Sequence, residues 1–255
     1  MALHGEYPAA RIADGPHQIT PDTPDAAAFL RSARMADGWL HPEGSNYTFV
    51  VELECDGRSG FGVYKPQRGE APLWDFSAGT LYRRECAAWE LSNLLGWGLV
   101  PPTLEREGEA GVGSLQLFVP AQDDSNYFTL REAHPERALA LAVFDVLANN
   151  ADRKGGHVFV GRAGGVWAID NGLTFNTEPK LRTVVWDFAG QQVPAALLQD
   201  VERALAGLDG EAGGPLRALL SPDELAALGE RMVRLLAAPV LPSPQSRRDL
   251  PWPWL

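Results

Sequence analysis

The sequence predicts an α+β chain of two lobes, a small β-rich N-lobe followed by a larger, mainly helical C-lobe. Four stretches carry that expectation. Residues 38–65 alternate aromatic and β-branched residues between turns at HPEGSN and Asp56-Gly57-Arg58, the pattern of a β-meander. Leu81–Leu95 and Ser221–Leu236 have the apolar period of helices packed on a core, the second opened by the cap signature Ser221-Pro222-Asp223-Glu224. Between them, residues 141–175 read as an apolar helix segment, a polar loop around Asp152, and two short strands, Val158–Val160 and Val166–Ile169, joined by a Gly-rich turn.

In chain order, residues 1–25 are rich in Pro, Ala, Asp and Gly without periodicity and are expected to form a flexible arm. The N-lobe is expected over 26–119: a helix at Pro24–Met35, strands at Trp39-Leu40, Tyr47–Leu53 and Phe61–Lys65, the Leu81–Leu95 helix ended by Gly96 and Gly98, and a strand at Gly113–Val119. The C-lobe is expected over 120–240. It opens on the acidic stretch Asp123-Asp124-Ser125-Asn126 and is mostly helical from Arg131 to Asn149. After the 141–175 unit come a loop, Asn176–Phe188, anchored by Trp186 and Phe188, and helices at Pro194–Leu208 and Ser221–Leu236. Residues 241–255 form a Pro- and Trp-rich tail that cannot be a helix; Trp252 and Trp254 are expected to tuck into a groove on the body.

Composition narrows the function classes. Apolar content of 45% and charged content of 22% are those of an ordinary globular chain, and 255 residues suffice to bury a sizeable core. A net charge of −11 gives no global basic field, which argues against a nucleic-acid partner and against docking on anionic lipid by charge alone. The two cysteines, Cys55 and Cys86, lack metal-ligand spacing and are expected to be reduced thiols. The start MALHGEYPAARIADG shows no basic-then-apolar signal, and the longest apolar run, Ala138–Ala148, is interrupted by Asp145 and too short to cross a bilayer. A cytoplasmic protein with no transmembrane segment is expected; peripheral membrane contact is left open but not indicated.

The chemistry concentrates around two carboxylates. Asp152 precedes the first strand of the predicted hairpin and Asp170 follows the second, so both fall at one end of it. This layout suits metal-dependent phosphoryl transfer, in which one carboxylate orients the attacking hydroxyl and another holds the magnesium bridging the phosphates. In the kinase pattern a metal ligand stands five residues after the catalytic-loop Asp, and a second metal-binding Asp opens D-F-G. Here those positions are His157 and Asp170-Asn171-Gly172.

The segments DVLANNADR (Asp145–Arg153) and AIDNGLTF (Ala168–Phe175) resemble the phosphatidylinositol 3-/4-kinase-like branch of the kinase superfamily, the type II phosphatidylinositol 4-kinases in particular. From about Gly38 to Leu236 the chain resembles the actinobacterial SCO1664-type proteins, which carry the same core. The resemblance implies a two-lobed protein-kinase-like fold that uses ATP with Mg2+ or Mn2+. It makes Asp152 the residue that accepts the proton of, or orients, the acceptor hydroxyl. Arg153 would neutralise the carboxylate cluster or orient the loop, and Lys154 would reach the transferring phosphate. Gly155-Gly156 would allow the close approach that places His157. His157 and Asp170 would hold the metal, the imidazole favouring manganese more than an all-oxygen site does. Lys65, which ends a strand in Gly-Val-Tyr-Lys-Pro, matches the phosphate-contacting lysine, and Glu85 its helix partner, with Glu90 the competitor. The Gly44-Ser45-Asn46 turn matches the phosphate-covering loop, giving Ser45 and Asn46. Gln116, Leu117, Phe118 and Val119 match the segment that meets the adenine, and Ile169 is also placed at the nucleotide. Lys180 and Arg182, in the 176–188 loop, are the first candidates to touch an anionic acceptor.

Two function classes follow. The leading one is an ATP-dependent phosphotransferase whose hydroxyl acceptor is open between a protein, a small polyol and an inositol lipid. The alternative is an ATP- and metal-binding pseudokinase acting as a regulatory module, motivated by His157 and the sparse glycine loop and opposed by the presence of Lys65, Asp152 and Asp170. A third, more distant class is a non-catalytic interaction protein whose acidic surface and Trp tail bind a partner.

Overall fold

The computed structural model describes residues 2–4, 12, 19–42 and 46–255. Much of the predicted N-terminal arm, and Gly44 and Ser45 of the predicted phosphate-covering turn, lie outside the described residues. The chain forms two compact units, one made of Met1–Cys86 with Pro101–Pro120, the other of Ala87–Val100 with Ala121–Leu255. The helix Leu81–Leu95 passes from one to the other.

The first unit is a six-stranded sheet in the order β1-β2-β3-β4-β6-β5. Its strands are β1 (Ala2–His4), β2 (Arg34–Leu40), β3 (Phe49–Cys55), β4 (Arg58–Pro66), β5 (Thr103–Gly108) and β6 (Gly111–Leu117). β1 runs parallel to β2; the other pairings are antiparallel. Cys55 and Arg58 close the β3–β4 hairpin, with Asp56 and Gly57 both at positive φ, the conformation that short turn sequences of this kind permit. Where β4 ends against β6, a Cβ on Gly113 would come within 2.4 Å of the Lys65 carbonyl oxygen, so only glycine lets the two strands meet there. Helix α1 (Ala26–Ser32) lies against this sheet, and the Arg106 guanidinium donates to the Leu30 and Ala33 carbonyls at its end, satisfying acceptors the helix leaves open.

The helix predicted to continue to Met35 stops earlier. Ala33 is extended (φ −62°, ψ 139°), and Arg34 and Met35 pair with Glu54 and Leu53. Strand pairing outweighs the weak local preference for helix.

The second unit is mainly helical. Its centre is α4 (Pro135–Ala148), apolar on nearly every side, with Leu141, Val143, Phe144 and Leu147 fully buried. Around it pack the second half of α2 (Leu81–Leu95), α3 (Tyr127–Ala133), α5 (Ala195–Gly207), α6 (Gly214–Leu219) and α7 (Pro222–Ala237). The stretch expected to be mostly helical from Arg131 to Asn149 is interrupted at His134, which takes φ −130° before Pro135; proline disfavours a helical residue before it and starts the next helix instead. Ser221 caps α7 by the predicted reciprocal bonds with Glu224. A two-stranded hairpin, β7 (Val158–Val160) with β8 (Val166–Ala168), completes the unit. No helix among the described residues is long and apolar enough to cross a membrane.

Phe144→Ala removes a ring from the fully buried face of α4. Urea denaturation should show a loss of about 3–5 kcal/mol, with the slope of the transition unchanged.

Candidate active site

Within the first unit, Lys65 is the penultimate residue of β4 and Glu85 lies one turn into α2. The Lys65 ammonium donates to Glu85 Oε1, and Glu85 is almost wholly buried. The predicted choice of Glu85 over Glu90 therefore has a direct geometric counterpart. Asn46 Oδ1 accepts the Ala71 N–H at 2.7 Å, pinning the turn to the chain that follows β4. Gln116 and Leu117, expected at the adenine, are interior parts of the sheet: Gln116 Nε2 donates to Thr103 Oγ1 at 2.8 Å, Leu117 is buried, and its N–H bonds the Pro102 carbonyl. The register makes Gln116 and Thr103 cross-strand partners of β6 and β5, which brings their side chains together, and β6 has β4 on its other side. The Phe118 N–H likewise bonds the Phe61 carbonyl at 2.9 Å; Phe118 and Val119 themselves are half-buried.

In the second unit, α4 ends at Asn149, whose φ of 52° turns the chain into the loop bearing Asp152. Asn149 and Asn150 then tie that loop to the segment after Phe175. Asn149 Nδ2 donates to the Asn176 and Glu178 carbonyls, its Oδ1 accepts the Lys180 N–H, and the Asn150 carbonyl accepts the Arg182 N–H. Asn150 Oδ1 also accepts the Asp152 N–H at 3.0 Å, an Asx turn that sets the direction of the loop.

Arg153 is fully buried. Its Nε and Nη2 donate to the Asp145 carboxylate, Nη1 to the Ile169 carbonyl at 2.8 Å and Nη2 to Asn171 Oδ1 at 2.6 Å. Thr183 Oγ1 donates to the same carboxylate. Of the two roles expected for Arg153, the geometry favours orienting the loop, because no part of the guanidinium reaches the surface. Asp145 is the buried acceptor its place on an apolar helix face implied.

The groups that do reach solvent are Asp152, Lys154, His157 and Asp170. Lys154 Nζ lies 3.1 Å from Asp152 Oδ2, and His157 Nε2 lies 3.3 Å from Asp170 Oδ2. Asp170 adopts φ 56°, a left-handed conformation that Asp tolerates better than most residues and that redirects the chain just past β8. Burial, and then the charge of Asp170, hold the Asp152 carboxyl above the usual aspartate range, while Lys154 and Arg182 pull it down.

Asp170 and His157 fit a divalent cation as a pair. Two donors at right angles on one cation about 2.1 Å away stand about 3 Å apart, close to the separation here. Among the described residues no group of three or more His, Cys, Asp or Glu gathers to hold a metal alone. A cation would therefore take its remaining ligands from phosphate oxygens and water, the usual way magnesium is held. One contact must yield: His157 Nδ1 accepts the Lys154 N–H at 3.4 Å, which puts the proton of the neutral ring on Nε2. Ligation through Nε2 moves that proton to Nδ1 and gives up this long bond.

No family model matches the chain. Protein Rv2133c of Mycobacterium tuberculosis is 40% identical over an alignment of 265 positions, gaps included, which covers 87% of this chain and 94% of the relative. The chain belongs to the Rv2133c family. Among solved structures, that of hydra Fam20 with sugar matches at a TM-score of 0.51 with 15% identity, covering 84% of this chain and 86% of the other. The Helicobacter pylori proinflammatory kinase CtkA gives a TM-score of 0.48 at 14% identity, covering 79% and 92%. The fold of this Rv2133c-family chain is protein-kinase-like α+β, an N-terminal sheet of five antiparallel strands with a short parallel edge strand, followed by a mainly helical region.

Sequence reasoning named the exposed groups but missed Asn149, Asn150 and Thr183, which hold them. The doubled Asn closing an apolar helix was the available signal, since Asn favours left-handed caps and turns.

Arg153→Met leaves the Asp145 carboxylate buried without its ion partner and should lower stability by about 3–5 kcal/mol in chemical denaturation. A 13C titration of the Asp152 carboxyl should show its midpoint rising in Lys154→Met and falling in Asp170→Asn. Because its folded value lies above the unfolded one, this carboxyl stabilises the fold below the unfolded pKa, and the contribution disappears as pH rises through the folded value.

Proposed function

We propose that the chain is an ATP-dependent phosphotransferase of the phosphatidylinositol 3-/4-kinase-like superfamily, moving the γ-phosphoryl group of ATP to a hydroxyl acceptor. The observation that carries this reading is the gathering of Asp152, Lys154, His157 and Asp170 at one end of the β7–β8 hairpin, with a buried arginine fixing both loops.

In this reading Lys65, held by Glu85, contacts the nucleotide phosphates, and Asn46, Phe118, Val119 and Ile169 belong to the nucleotide side. Asp170 and His157 hold the divalent cation, Mg2+ or Mn2+, which when bound offsets the charge of the β- and γ-phosphates. Asp152 accepts the proton of the acceptor hydroxyl as its oxygen bonds the γ-phosphorus and the bond to the β–γ bridging oxygen breaks, releasing ADP. A carboxyl held above the ordinary aspartate range by burial is a better proton acceptor than an exposed one. Lys154, beside Asp152, offsets charge on the moving phosphoryl group. Most of the rate enhancement comes from alignment and electrostatics.

A second reading, an ATP- and metal-binding pseudokinase, draws on the bonds that occupy both ring nitrogens of His157. Purified protein incubated with γ-labelled ATP and Mg2+ or Mn2+ separates the two. Phosphotransfer predicts label released or transferred, reduced at least about 100-fold in Asp152→Ala and in Asp170→Ala. Nucleotide binding should persist in Asp152→Ala. Binding without turnover in the natural sequence would establish the pseudokinase instead.

A further inference from the structure

The chain after α7 returns to the loop that bears Asp152, and it does so through its backbone. The Arg182 Nε donates to the Arg248 carbonyl at 2.9 Å, while the Asp249 carbonyl accepts the Thr183 N–H at 3.0 Å and the Trp186 indole N–H at 3.2 Å. Asp249 Oδ2 accepts the Gln245 and Ser246 N–H groups, which fixes the turn presenting those carbonyls. Further on, the Trp254 carbonyl accepts the Gly155 N–H at 2.6 Å. A Cβ on Gly155 would come within 2.6 Å of Phe128 Cε2 and 3.2 Å of Leu255 Cδ1, so glycine lets the loop lie close to the Phe128 ring, with the tip of Leu255 beside it.

The indoles do not explain this docking. Sequence reasoning tucked both tryptophans into a groove, yet Trp252 is 83% and Trp254 54% exposed, and they pack edge to face on one another at 6.3 Å. Nor does the tail cap the site, because the side chains of Asp152, Lys154 and Asp170 keep 27%, 23% and 52% of their accessible surface with the tail in place. What the tail supplies is a set of carbonyl acceptors to two stretches, 153–157 and 182–186, which themselves pair through Arg153 and Thr183.

We infer that residues 248–254 are a brace for the Asp152–His157 loop: the tail fixes the position of the loop between Asp152 and the His157–Asp170 pair and so acts as a positioning element for catalysis. The catalytic part rests on the phosphotransfer reading; the mechanical part does not. The test is a chain ending at Leu250, which loses the Trp254 contact and keeps those of Arg248 and Asp249. Val233→Ala, at an exposed position of α7 outside the tail, is the control. Hydrogen exchange of the backbone over 153–158 should quicken about tenfold in the shortened chain and stay unchanged in the control, with α4 as slow as before. ATP turnover should fall about tenfold in kcat while KM for ATP stays within about twofold. If the shortened chain does not fold, Gly155→Ala in the full chain, which pushes against Leu255 and Phe128, should give the same local quickening. Unchanged exchange overturns the brace, and faster turnover on removal of the tail overturns its positioning role in favour of an inhibitory one. Faster local exchange in a protein whose full chain consumes no ATP with either metal sustains the brace and defeats the phosphotransfer reading.

Discussion

A single buried guanidinium holds the second unit's chemistry together. Arg153 bonds the α4 carboxylate of Asp145, the Ile169 carbonyl and the Asn171 side chain, while its own N–H and carbonyl pair with Arg182 and Val184. Three stretches, the end of α4, the Ile169–Asn171 turn and the Arg182–Val184 segment, thus meet on one residue. A charge taken out of water is costly unless every donor finds an acceptor, so the network tolerates few alternative arrangements. That intolerance keeps Asp152 and Asp170 at fixed places although both lie in loops.

The exposed part of the site follows from this hidden part. Asp152 and Lys154 flank Arg153 in sequence, and Asp170 stands between two of its partners, Ile169 and Asn171. In a chain of net charge −11, Lys154 and Arg182 supply the positive field that keeps two nearby carboxyls tolerable. The backbone cooperates through left-handed residues at Asn149 and Asp170, each turning the chain at the end of a regular element.

Membership of the Rv2133c family and a protein-kinase-like fold place the chain without assigning its reaction, since one fold hosts many chemistries. The proposed activity therefore stands on the side chains: an acid above its ordinary range, a neighbouring ammonium, and a carboxylate–imidazole pair at cation-bridging distance.

The sequence by itself determined the elements whose periodicity is strong and local. The helix Leu81–Leu95, the cap and start of α7 and the two strands around the Gly-rich turn stand where apolar spacing placed them. The pairing of Lys65 with Glu85 and the nearness of His157 to Asp170 were legible because each sits at a fixed offset within a motif. Tertiary structure decided the rest. Arg34 and Met35 left a helical pattern for a strand because β3 offered backbone partners, Gln116 bonded Thr103 because the β5–β6 register sets the two opposite one another, and the tail settled on Gly155 through a carbonyl rather than an indole. In each case the deciding partner was a backbone or side-chain group remote in the chain, and backbone hydrogen bonding carries no residue-type signature that a sequence displays.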